Sequence, residues 1–115
     1  MKFKKPKEVF FEYSGVKGWN YNTKEDFKNI SICYAEVKEP FGKVKSKLSD
    51  RLYYILEGEA EFVVDDKKFN VSKEDVVIVP KDTFYSYIPK TEVVKLLEVN
   101  SPAFDIDYDV KLEST

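Results

Sequence analysis

The chain has 115 residues, 19 basic and 21 acidic side chains, a single cysteine and no histidine. That length is the size of one domain. The balanced charge offers no field for nucleic acid, and no apolar run of about 18 residues is present to span a bilayer. Without histidine, Ser-His-Asp and Cys-His catalysis are excluded. A metal would rest on carboxylates and carbonyls, which suits Mg2+ or Ca2+ better than Zn2+, Fe2+ or Cu2+. Cys33 has no intramolecular disulfide partner, and no apolar segment follows the first lysines, so a cytoplasmic location is expected.

Lys2, Lys4, Lys5 and Lys7 open the chain as a solvated basic arm. Residues 8–13 (EVFFEY) then read as a strand at a sheet edge, ended by the turn Ser14-Gly15. Residues 17–21 read as extended and carry the only tryptophan, Trp19. Thr23 and Asp26 stand at capping spacing, but no apolar period follows, so one helical turn is the most that starts there. Residues 30–37 (ISICYAEV) are a strand. Alternation puts Ile32, Tyr34 and Glu36 on one face and Cys33, Ala35 and Val37 on the other. After the turn Pro40-Phe41-Gly42, residues 43–48 are too polar for a core strand and read as a strand lining a polar pocket. Residues 51–57, 59–65, 68–71, 76–79, 84–88 and 92–99 are further strands: β-branched and aromatic runs broken at Gly58, Asp65-Asp66, Ser72 and Pro80. Residues 103–115 read as loop packed over one end. Asp105, Asp107 and Asp109 alternate there, but without the Gly and closing Glu of a calcium loop they read as a solvated tail. Many short strands and no long helix predict an all-β sandwich or barrel. One domain is expected over 1–115, with an N-terminal extension over 1–30 and a tail over 101–115.

This order resembles the cupin superfamily over roughly residues 35–105, and the resemblance implies a double-stranded β-helix, a jelly-roll barrel. In the first cupin motif a Glu precedes the closing Gly by seven positions. Arg51 and Gly58 keep that interval, with Tyr53-Tyr54-Ile55-Leu56-Glu57 between them. In the second motif, Glu74 and Pro80 keep the interval of Gly and Pro, Asp82 stands for the second Gly, and Tyr85 stands for the histidine. Residues 99–105 (VNSPAFD) are similar to the common close of small cupins. The resemblance sets Lys45, Lys47, Arg51 and Tyr85 against the family's metal ligands. A longer spacer puts Val44 and Ser46 in place of the two lysines. The first register is preferred, because Lys45, Lys47 and Arg51 share alternation parity with Tyr53. In either register no metal triad survives. A metal-free protein without a cofactor is expected, which puts dioxygenase, metal-dependent isomerase and germin-like activities in doubt.

In the preferred register three cations and a phenol point into one end of the barrel. Buried charges are costly unless they are paired. Glu36, Glu98 or an anionic ligand would offset them, with Arg51 gripping a carboxylate or phosphate in bidentate fashion. Tyr85 and Tyr87, on one strand face, would stack on a ring or donate a hydrogen bond. The expected pocket is therefore Lys45, Lys47, Arg51, Tyr53, Tyr85, Tyr87, Glu36 and Glu98. The expected function is binding or sensing of a small molecule, anionic or carbohydrate-like. The alternatives are a metal-independent sugar-nucleotide isomerase or epimerase, with Tyr85 as acid and Glu36 or Glu98 as base, and a structural or interaction module whose pocket has lapsed. A barrel filled by its own side chains would favour the module. Cys33 reads as a small core residue. A homodimer is expected, joined through the aromatic strand around Phe10 and Phe11.

Overall fold

The computed structural model describes residues 1–112, the Tyr13 side chain excepted. Eleven strands form among them: β1 Phe11–Tyr13, β2 Val16–Asn20, β3 Ser31–Val37, β4 Phe41–Ser46, β5 Asp50–Glu57, β6 Ala60–Val64, β7 Lys67–Val71, β8 Val76–Val79, β9 Tyr85–Pro89, β10 Val94–Ser101 and β11 Asp109–Lys111. They make two antiparallel sheets, one ordered β1-β2-β3-β10-β5-β8 and the other β11-β4-β9-β6-β7. From β3 onward the chain steps repeatedly between the two sheets, which is the winding of a jelly roll.

Period-2 alternation supplies the core. Cys33, Ala35 and Val37 of β3 are buried and Ile32, Tyr34 and Glu36 take the other face, the split that alternation gives. Tyr53 and Ile55 of β5, Phe62 of β6, and Val94 and Leu96 of β10 are each no more than 1% exposed. Tyr53, Phe62 and Tyr87 form an aromatic centre, with Tyr53–Phe62 centroids 5.3 Å apart and Phe62–Tyr87 stacked at 4.7 Å. Phe41 stacks on Tyr87 at 5.0 Å and fills that end of the interior. Between β5 and β6 the backbone passes through φ +88° at Gly58, and a Cβ there would stand 2.5 Å from the Val93 carbonyl oxygen. Only glycine makes that turn without strain.

Three local expectations are corrected. β4 begins at Phe41 rather than beyond Gly42, and its pairing with β9 slips between Gly42 and Val44. The first strand is short, 11–13 rather than 8–13, although Phe10 still donates its N–H to Gly18 O at 2.7 Å. The tail is not loop alone. Ile106–Tyr108 is a short 3-10 helix, and β11 adds to the free edge of β4, with Asp109 opposite Ser46. An uncovered edge leaves backbone groups without partners, and β11 supplies them. Residues 113–115 of the expected tail lie outside the described residues. Thr23 and Asp26 form the expected single turn, the Thr23 N–H donating to Asp26 Oδ2 at 2.9 Å, and no helix follows.

Candidate functional site

The barrel interior turns polar where β5 and β10 lie side by side. Their register sets Tyr53 opposite Glu98 and Arg51 opposite Asn100. All four lie on the inward parity of their strands, so adjacent positions on two strands bring an acid, a base, an amide and a phenol together. Tyr85 reaches them from β9 of the other sheet.

Arg51 is 3% exposed and uses three sides of its guanidinium. Nε donates to Asn100 Oδ1 at 2.6 Å, Nη1 to the Tyr85 hydroxyl at 3.0 Å, and Nη2 to Asp109 Oδ1 at 2.6 Å. The Phe104 ring covers it, 5.5 Å from Cζ. The Tyr53 hydroxyl donates to Glu98 Oε1 at 2.8 Å, and Asn100 Nδ2 donates to Glu98 Oε2 at 2.9 Å. The hydroxyls of Tyr53 and Tyr85 are also bonded to each other. A phenol has one proton. Tyr53 spends its own on Glu98, so Tyr85 donates to Tyr53. Two paths of donation therefore run from Arg51 to Glu98, one through Tyr85 and Tyr53, the other through Asn100. They end on different oxygens of a half-buried carboxylate.

Burial pushes both phenols above the usual range; the Glu98 charge adds to the push at Tyr53, and Arg51 opposes it at Tyr85. Both are protonated at neutral pH and act as donors. Burial also works against the charge on Arg51, but the acidic groups around it outweigh that and hold its pKa above the ordinary value. The Asp109 carboxyl is raised by burial, and Arg51 offsets this only in part.

Of the expected site residues, the structure brings together Arg51, Tyr53, Tyr85 and Glu98, with Tyr87 beside Tyr53 at 5.6 Å between centroids. It separates Lys45, Lys47 and Glu36 from them. Lys45 lies over the Phe84 ring at 4.9 Å, and Lys47 is exposed. Glu36 accepts from the Tyr34 hydroxyl at 2.8 Å on the other face of β3. The inward residues of β4 are Val44 and Ser46, both nearly buried. Parity with Tyr53 misplaces the lysines because the connection 47–49 restarts the alternation. There Ser46 Oγ accepts the N–H groups of Leu48 and Ser49 at 3.1 and 2.9 Å. Asn100 and Asp109 are the members that sequence reasoning missed. Asn100 was legible by carrying the β10 parity two residues past Glu98. Asp109 has no local signal, being 58 positions from its partner.

The cupin fold implies a metal among the positions now held by Val44, Ser46, Arg51 and Tyr85. Those residues do not fit one. Val44 has no donor atom, the Ser46 oxygen is engaged by two backbone N–H groups, Tyr85 keeps its proton, and a guanidinium repels a dication. Among the described residues no group of three or more Cys, Asp or Glu side chains is placed to hold a metal ion.

Comparison with known proteins agrees with this architecture. Residues 47–100 match the cupin domain model. An uncharacterised protein of Methanocaldococcus jannaschii, MJ1618, is 34% identical over 61 residues, covering 50% of this chain and 49% of its own. The chain thus spans about half the length of the curated relative it matches. Among solved structures, the Streptomyces nucleoside dehydratase Pac13 aligns with TM-score 0.84 at 18% identity, covering 98% of this chain and 92% of its own. Variants of Pac13 altered at one histidine or at a tyrosine have been solved with uridine. KdgF from Halomonas sp. aligns with TM-score 0.76 at 14% identity, over 87% of this chain and 90% of that one. Bacillus subtilis oxalate decarboxylase gives 0.78 at 20% identity, over 92% of this chain and 30% of that one. At such identities the likeness is one of fold. Residues 47–100 thus match the cupin domain model, and the two-sheet architecture is that of the cupin fold.

Proposed function

We propose that this cupin-fold protein binds a small hydroxyl-rich molecule, carbohydrate-like or nucleoside-like, through the Glu98 carboxylate. The observation that carries it is the one-way polarity of the buried network. Both relays from Arg51, through Tyr85 and Tyr53 and through Asn100, end on Glu98, one on each oxygen, and each oxygen keeps a lone pair. A half-buried carboxylate held in this way selects a ligand that donates, as sugar hydroxyls do. Lys45 and Lys47 point elsewhere, so the cation-lined pocket expected from sequence is not part of this reading. The test is calorimetric titration of uridine and of simple hexoses into the wild-type and Glu98→Gln proteins. A glutamine amide has one accepting oxygen where the carboxylate has two, so binding should weaken at least about tenfold. Binding that is indifferent to Glu98→Gln, or no binding of any of these ligands, overturns the proposal.

A second reading has an observation of its own. The donation path Arg51–Tyr85–Tyr53–Glu98 pairs a carboxylate base with a phenol acid that directly donates to it. Such a pair suits proton removal next to a carbonyl and protonation of a leaving hydroxyl. The similarly folded Pac13 is described as a nucleoside dehydratase. Solvent deuterium appearing at a carbon of a keto-sugar or nucleoside aldehyde, and absent with Glu98→Gln, is the outcome that supports catalysis.

A further inference from the structure

We propose that Arg51 receives an acidic group of the same ligand, a carboxylate or phosphate on the hydroxyl-rich molecule, and that Asp109 holds this site closed by standing in for that group. The proposal rests on the hydroxyl-binding reading of Glu98 and names the ligand's charged end.

Arg51's three bonds differ in origin. Asn100 and Tyr85 belong to β10 and β9, strands deep in the two sheets, and form part of the closed network. Asp109 comes from β11, a three-residue strand added at the sheet's edge. The exposures differ in the same sense. The Arg51 side chain is 3% exposed and the Asp109 side chain 17%. Asp109 is the member of the pair that solvent reaches, and Nη2 is the side of the guanidinium that it covers.

The strap that carries Asp109 is lightly held. Its 3-10 helix buries no residue, and Ile106 and Tyr108 are 67% and 46% exposed. Besides the short β11 ladder, Lys47 N–H donates to Tyr108 O and Leu112 N–H to Lys43 O, both at 2.9 Å. Lys24 reaches Asp105 at 2.9 Å across exposed surface. Few buried contacts and edge-strand bonds place a segment at the low end of local stability. The guanidinium, by contrast, is fixed by Asn100 and Tyr85 whether or not the strap is in place, and its planar fork matches the oxygens of carboxylate or phosphate. Burial leaves the Asp109 carboxyl above its ordinary range, so this internal ligand is not optimal in its own seat. A tethered carboxylate acts at an effective concentration in the millimolar range, enough to suppress weak free anions and still yield to a ligand that also engages Glu98.

The experiment titrates inorganic phosphate and malonate into the full chain while following the Arg51 Nε–H and the Val110 and Lys111 amides by NMR. Wild type should bind weakly, with all three signals moving together. Asp109→Asn, which keeps an acceptor but removes the competing charge, should bind about tenfold more tightly. Adding Arg51→Lys, which retains charge but not the fork, should reverse the gain. Equal anion affinity in wild type and Asp109→Asn overturns the proposal, as do shifts confined to Lys43, Lys45 and Lys47. The two ideas fail separately. Uridine binding that needs Glu98, with no anion effect at Arg51, retains the hydroxyl site and overturns this one. An anion effect without any Glu98-dependent binding does the reverse.

Discussion

Arg51→Ala is the perturbation for which the structure gives the largest magnitude. The side chain is 3% exposed, and its loss strips a donor from three acceptors at once: Asn100 Oδ1, the Tyr85 hydroxyl and Asp109 Oδ1. Breaking a buried ion pair by removing one partner costs about 3–5 kcal/mol, most of it the penalty of the charge left behind. Asp109 is 17% exposed and recovers part of its hydration, which favours the lower end. Tyr85 keeps its bond to Tyr53, whereas Asn100 Oδ1 loses the donor it had. About 3–4 kcal/mol remains, and for a chain of this size each kcal/mol moves the melting temperature by about 3–5 °C. Calorimetry should therefore show a fall of roughly 10–15 °C. The internal control is Lys17→Ala, which removes the Lys17–Glu12 pair; its members are 48% and 58% exposed. That change should fall within about 1 kcal/mol. A fall of less than about 3 °C for Arg51→Ala would refute the reasoning that breaking this buried pair leaves an uncompensated charge. The size of the effect also means that lost ligand binding in Arg51→Ala is ambiguous. Arg51→Lys is the variant that reports on the fork without emptying the seat.

The other predictions are smaller. Tyr53→Phe removes the donor to Glu98 Oε1 and the acceptor of Tyr85, and should cost about 1–3 kcal/mol by urea denaturation. An unchanged midpoint would mean that water replaces the phenol. Gly58→Ala forces a Cβ into the Val93 carbonyl at φ +88° and should cost more than about 1 kcal/mol. For pH, the Asp109 carboxyl titrates above its unfolded value, so the folded chain binds the proton more tightly. Its contribution is full below the unfolded pKa and is lost as pH rises through the folded one. The melting temperature of wild type minus that of Asp109→Asn should therefore grow as pH falls from 7 toward 4, and the opposite trend would show that Arg51 outweighs burial. The Cys33 thiol is pushed up to about 12, chiefly by burial and then by Glu98, so a disulfide reagent at pH 8 should label it only after denaturation.

Most of the fold was legible because alternation and turn chemistry are local. The inward residues of β3 and β5 follow from period 2, and Gly58 marks a backbone conformation that other residues avoid. The failures lie where local pattern stops. Parity is a property of one continuous strand, so carrying it from Tyr53 back across residues 47–49 put Lys45 and Lys47 inside and Val44 and Ser46 outside. Glu36 was misassigned for a different reason. A carboxylate on a strand suggests an inward partner for buried cations, yet the β3 alternation, read correctly, already placed it on the face opposite Cys33. The acidic tail looked solvated because nothing near Asp109 in sequence announces Arg51.

The chemistry of the network explains why a guanidinium can stand where the fold elsewhere holds a metal. One buried cation sits between two carboxylates, Glu98 reached through hydrogen-bonded relays and Asp109 in direct contact. A dication added to this interior would meet Arg51 at close range, in a site whose donors are phenol protons and amide N–H groups pointing the wrong way. A monoanionic group exchanging with Asp109 leaves the count of charges unchanged, and a neutral polyol leaves Asp109 in place. Under the two proposals the ligand either donates to Glu98 alone or donates there and brings its own carboxylate or phosphate to Arg51. Those two ligand classes differ in one observable: whether the strap amides at Val110 and Lys111 move when the ligand binds.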